Sequence, residues 1–167
     1  SGVVVAVVDS GVSEGTDGYN ELLPGFDFVD QDEDASDANG HGTHVAGTIA
    51  QKTDNGRGVA GVAPMASILP VRVLDANGSG TSPDVAAGIV WAVDNGAHII
   101  NLSLGSGIPS QIINDACEYA IENNVLVVAA TGNDGYTASV GYPAAFDAAI
   151  AVGAVDLNGD VTYYSNQ

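Results

Sequence analysis

The chain has 167 residues, 46% of them hydrophobic and only 6% aromatic, which suits one α/β domain with a sizeable, tightly packed core. Three basic residues (Lys52, Arg57, Arg72) against 21 acidic ones give a formal charge of -18, a solvated acidic shell that repels phosphate backbones and argues against a nucleic-acid partner. No apolar run reaches the ~18 residues of a membrane span, and the one cysteine, Cys117, excludes an internal disulfide.

Val3–Val8 is a β-branched run ending at Asp9, read as a strand and not as a signal peptide because no basic region precedes Gly2. Gly42–Ala50 predicts a helix of small residues, and Ser67–Val73 a strand. Ser82-Pro83-Asp84 opens the next helix, with Ser82 as its cap and proline in the first turn; it stops at Asn95-Gly96 after Asp94. Ala97–Leu102 is a strand. Pro109–Asn123 predicts a helix with Ile112, Ile113, Ala116, Cys117, Ala120 and Ile121 on one face, where Cys117 reads as a small core residue. Val125–Ala130 and Ala148–Val155 are two further strands, with no internal repeat or linker between elements.

Near-continuous apolar strands alternating with helices predict a mostly parallel sheet covered on both faces. Function in such sheets gathers beyond the carboxyl ends of the strands. Asp9, Ser103 and Asn133 stand at three of those ends, which sets an acid, a hydroxyl and an amide on one rim. A carboxylate after an uninterrupted apolar run is partly desolvated and needs a partner, a histidine becoming imidazolium being one and its own turn backbone another. His41, in Asn39-Gly40-His41-Gly42-Thr43-His44-Val45-Ala46-Gly47, is flanked by glycines that allow another backbone to approach closely. His41 and His44 could also be read as a metal pair, but a third ligand at zinc-like spacing is missing, and His44 suits a core position. Asn133, in Thr131-Gly132-Asn133-Asp134-Gly135, either donates to a developing oxyanion or builds a turn.

Together these segments resemble the subtilisin family of serine peptidases. Val5-Ala6-Val7-Val8-Asp9-Ser10-Gly11 is similar to its aspartate box and His41-Gly42-Thr43-His44-Val45-Ala46-Gly47 to its histidine box. Asn101-Leu102-Ser103-Leu104-Gly105 and Gly132-Asn133 resemble its substrate strand and oxyanion asparagine. The resemblance implies a three-layer subtilisin-like fold in which Asp9 orients His41, His41 moves the proton of a serine, and Asn133 stabilises the oxyanion. It implies that Ser103-Leu104-Gly105 and Gly78-Ser79-Gly80 pair with an extended polypeptide substrate, and that Ala130, Thr131 and Gly132 line the pocket for the side chain before the cut. It also implies a secreted protein.

The family's Gly-Thr-Ser-Met-Ala nucleophile box does not occur in this chain, which ends at Tyr163-Tyr164-Ser165-Asn166-Gln167 and begins without the family's N-terminal helix. Residues 1–167 are therefore expected to be the N-terminal and central part of one peptidase domain. The serine is expected on a missing part or a companion chain, so that this chain alone is inactive; the alternative is a non-catalytic scaffold that grips peptides. A nucleotide-binding reading of Gly58-Val59-Ala60-Gly61-Val62-Ala63 fails because the G-x-G-x-x-G spacing is absent.

Residues 27–37 hold six carboxylates in eleven positions, a repulsion that a hard cation with oxygen ligands would relieve. The run resembles the calcium loop of thermitase-type members, which implies Ca2+ at Asp27, Asp30, Asp32 and Asp34. A second Ca2+ loop is implied at Lys52, Asn55, Arg57 and Val59, with Glu21 as its carboxylate.

Overall fold

The structure is a computed structural model, described here for residues 2–135 and 137–167. The elements run in the order β1 (Val4–Asp9), β2 (Glu21–Leu22), β3 (Phe26–Asp27), α1 (His41–Ala50), β4 (Ser67–Arg72), α2 (Ser82–Asp94), β5 (Ile99–Leu102), α3 (Gln111–Glu122), β6 (Leu126–Ala130) and β7 (Ile150–Val152). The strands form a single sheet in the order β2-β4-β1-β5-β6-β7, with β3 pairing the far end of β4. Every pairing between these strands is parallel. All the carboxyl ends therefore open on one rim, and helices cover both faces, the three-layer α/β arrangement.

The apolar run of β1 is continuous because both of its faces are buried. Ala6 and Val8 join Val71, Val85, Ile89, Ala116, Cys117 and Ala120 on the side of α2 and α3. Val5 and Val7 join Ala46, Ala50 and Ile68 on the side of α1. Burial pushes the Cys117 thiol up to about 12, so it stays a neutral core group.

Several boundaries differ from the sequence expectation. The cap of α2 is Thr81, whose extended backbone lets its hydroxyl accept from the Asp84 amide at 3.3 Å; Ser82 already lies in the first turn. In α3 only Ala116, Cys117 and Ala120 are buried, while Ile112 and Ile121 are exposed, because the helix docks through its small residues. The strands β2 and β3, two residues each, carry no readable periodicity and exist through their pairing with β4. The last predicted strand shrinks to Ile150–Val152, all three residues of which are exposed.

Candidate active site

Asp9 is the last residue of β1 and is fully buried. Its Oδ1 lies 2.7 Å from Nδ1 of His41 and accepts the Ser10 amide at 2.7 Å. A carboxylate only accepts, so Nδ1 carries the proton and Nε2 of the neutral ring is left as an acceptor. The His41 side chain is 48% exposed, which leaves that nitrogen open to the rim.

The first turn of α1 is anchored from outside. Gly40 makes no side-chain cap, and three neighbouring residues take the free amides instead. Asn39 Oδ1 accepts from His41, Ser10 Oγ from Gly42, and Asp37 Oδ2 from Thr43. Asp37 also accepts the hydroxyls of Ser10 and Thr43 and the amides of Asn39 and Gly40. Burial works to raise its pKa, but the Thr43 hydroxyl and these amides outweigh it and hold the carboxyl below the usual range. Gly42 is required at this contact, because a Cβ there would meet Gly11 O at 2.1 Å. Asp37, Asn39 and Ser10 thus fix the distance between Asp9 and His41. Sequence reasoning missed all three as positioning groups, although Asp and Asn just ahead of a helix are a capping signal.

His41 faces a hollow of about 780 Å³ whose walls include Gly78, Ser79, Gly80, Ser103, Leu104 and Gly105. A second hollow of about 330 Å³ shares Ser103, Leu104 and Gly105 and is closed by Ala130, Thr131, Gly132 and Asn133. The structure therefore gathers every predicted substrate-binding residue, with His41 and Asn133, around two adjoining spaces. The edge at Gly78–Gly80 is presented by a turn in which Asp75 accepts the amides of Asn77 and Ser79. Asn39 joins that turn to α1 by donating to Ala76 O at 3.0 Å. Thr131 spends its hydroxyl on Asn166 O at 3.1 Å, so its polar head is engaged within the wall. Asn133 is exposed, and its side chain makes no hydrogen bond among the described residues.

No serine hydroxyl among the described residues is bonded to His41. Ser103 Oγ accepts from Asn101, and Ser165 is buried and holds the Ala154 amide.

The acidic loop is less open than its sequence implies. Asp27 is fully buried: Oδ1 accepts the Val29 and Asp30 amides, and Oδ2 pairs with Arg72. Asp30 reaches the same guanidinium at 2.9 Å. Asp32 and Asp34 each accept an amide two residues on, from Asp34 and Ser36, and both are exposed. Among the described residues, no group of three or more His, Cys, Asp or Glu side chains converges as on a metal ion. The donor set is nonetheless all oxygen, and Arg72 pairs with only Asp27 and Asp30 while Asp32 and Asp34 have no cationic partner within ion-pair distance among the described residues, a chemistry that fits a further hard cation. At the second loop Lys52, Asn55, Arg57 and Val59 border one hollow of about 290 Å³. Glu21 is not part of it: its strand register places it beside Ser67, whose hydroxyl it accepts. The carboxylate that reaches Asn55, and Gln51 beside it, is that of Asp17, which the sequence reading overlooked.

Comparison with known proteins gives these contacts a family setting. The family model described as "Subtilase family" matches residues 1–167. The chain is 48% identical over 166 residues to thermitase of Thermoactinomyces vulgaris, covering 99% of this chain and 59% of that protein. It is 46% identical over 167 residues to a thermophilic serine proteinase of Bacillus sp. (strain AK1), covering 99% of this chain and 41% of the relative. Among solved structures, sphericase superposes with a TM-score of 0.92 at 40% identity over 99% of this chain and 59% of its own. The chain thus spans about two fifths to three fifths of the length of the curated relatives it matches.

Proposed function

The chain belongs to the subtilase family, and on that premise we propose that it supplies the aspartate, the histidine and the oxyanion amide of a serine endopeptidase acting on extended polypeptides. The observation that carries this reading is the 2.7 Å contact of buried Asp9 with His41 at the edge of a hollow walled by both strand-like segments. A serine hydroxyl delivered to Nε2 of His41 from residues outside this chain, on the same or a companion polypeptide, completes the relay. Ring Nε2 takes the hydroxyl proton as Oγ bonds to the scissile carbonyl carbon, and Asp9 stabilises the imidazolium. The carbonyl oxygen, now negative, accepts from Asn133 Nδ2. His41 returns the proton to the leaving amine as the peptide bond breaks, and water repeats the cycle on the acyl-enzyme. Substrate backbone adds as a strand between Gly78–Gly80 and Ser103–Gly105.

Calcium belongs to the same proposal. Asp27, Asp30, Asp32 and Asp34 would hold one ion ahead of α1, and the loop of Lys52, Asn55, Arg57 and Val59, with Asp17 in place of Glu21, a second. Bound there, it supplies charge neutralisation and loop rigidity, not chemistry. We also place the protein outside the cell, where an acidic shell of -18 keeps it dispersed; among the described residues no helix is long and apolar enough to cross a membrane.

Turnover of an unstructured polypeptide by the complete protein tests the reading. Asp9→Asn leaves the geometry but favours the wrong ring tautomer, and kcat is expected to fall about 10⁴-fold. Unchanged turnover in that variant refutes the relay.

A further inference from the structure

We propose that Asn166 is a positioning residue for the oxyanion amide, gripping the backbone on both sides of Asn133 and so setting where its Nδ2 projects. The inference rests on the reading of Asn133 given above. Asn133 leaves β6 in an exposed loop and has no side-chain bond among the described residues to steer it. Its direction is therefore set by the backbone; Val152, Gly141 and Tyr164 hold the loop at Thr131 and Gly135, and Asn166 holds the residues directly flanking Asn133. The Asn166 amide donates to Gly132 O at 3.1 Å, and its Oδ1 accepts from the Asp134 amide at 2.7 Å. Nδ2 donates to Asp134 Oδ2 at 3.2 Å and to Ser139 O at 3.0 Å, across the far side of the loop. Its carbonyl accepts the hydroxyls of Thr131 and Ser165. Thr131, Gly132 and Asp134 are all tied to Asn166, and Asn133 alone of the four is left to project.

The fit is close as well as polar. Gly132 has φ +111°, and a Cβ on it would meet Asn166 Nδ2 at 2.6 Å. Asn166 is only 4% exposed, with every polar group of its side chain partnered. An apolar residue of the same size would fill the space but leave the Asp134 amide and the Ser139 carbonyl without this partner. A primary amide is the side chain that offers an acceptor and two donors in one plane. A fully satisfied buried network of this kind fixes one geometry, which an oxyanion donor needs and a merely packed loop does not.

The test is a double-mutant cycle in the complete protein, reading kcat and KM on a peptide substrate, with exchange of the Asp134 amide followed by mass spectrometry. Asn166→Ala is expected to lower kcat roughly 10-fold or more, within the ~10²–10³ that loss of an oxyanion amide costs in characterised sites, a subtilisin among them. KM stays within about 2-fold, the Asp134 amide exchanges faster, and in an Asn133→Ala background the further loss of kcat disappears. Asn166→Leu, close in volume and uncharged but unable to make any of the side-chain bonds, shows the same pattern. An equal loss in both backgrounds, a rise in KM alone, or a silent Asn166 variant beside a normal Asn133→Ala loss overturns this proposal by itself. Unchanged kcat in Asn133→Ala overturns the oxyanion reading, and this proposal with it.

Discussion

Asp9 and the run from Asp27 to Asp34 place carboxylates near one rim of the sheet, yet they are held in opposite ways. Buried Asp9 has a half-exposed histidine as partner, a group that changes charge and faces a hollow. Buried Asp27 has Arg72, which is 12% exposed, permanently charged and shared with Asp30, while Asp32 and Asp34 accept amides of their own loop. On the proposed relay the same side chain serves chemistry in one place and structure in the other, according to whether its partner can release a proton. Asp37 crosses between the two regions. It belongs to the acidic run by sequence but to the base of His41 by its five hydrogen bonds.

The contrast breaks most sharply at His41. His41→Ala in the complete protein is expected to lower kcat on the order of 10⁴- to 10⁶-fold while the loss of the bond to buried Asp9 lowers the melting temperature by only about 2–8 °C, read by kinetics and calorimetry together. Arg72→Met should do the reverse. It strands Asp27 as an unpaired buried charge, so chemical denaturation should show a loss of about 3–5 kcal/mol while turnover at low temperature persists. Chelation of calcium should lower the melting temperature by roughly 5–10 °C, if the ion is present near 100 times its dissociation constant, and more steeply in Arg72→Met, where the ion is the remaining positive charge. An unchanged transition in excess chelator rejects the calcium sites.

Asp37 gives the smallest effect and the finest distinction. Its folded pKa is depressed, so its contribution is present above the unfolded carboxylate pKa and lost as pH falls through the folded value. Asp37→Asn should cost about 1–2 kcal/mol at neutral pH and flatten the acid limb of a melting-temperature profile. A parallel acid limb in the variant would show that other carboxylates govern it.

How much of this was legible in the sequence depends on the range of the contacts. The strands β1, β4, β5 and β6 announce themselves through apolar runs, and polar residues at their ends already mark the rim. The pair β2 and β3 is invisible because two residues carry no period; pairing with β4 creates them. Asp9, His41 and Asn133 stand out because a polar residue beside a buried strand or a glycine-flanked helix start demands a reason. Asp17 and Asn166 do not, since an aspartate in a glycine-rich turn and an asparagine near a chain end are ordinary until tertiary contact gives them partners. Glu21 was misplaced for the same cause: only strand register tells that it faces Ser67.

Covalent labelling of the complete protein with a serine-directed phosphonate, followed by peptide mapping, tests the central claim most directly. The relay of Asp9 and His41 predicts one adduct, on a serine outside residues 1–167, that vanishes in His41→Ala. An adduct on Ser103 or Ser165, or labelling indifferent to His41, would contradict it.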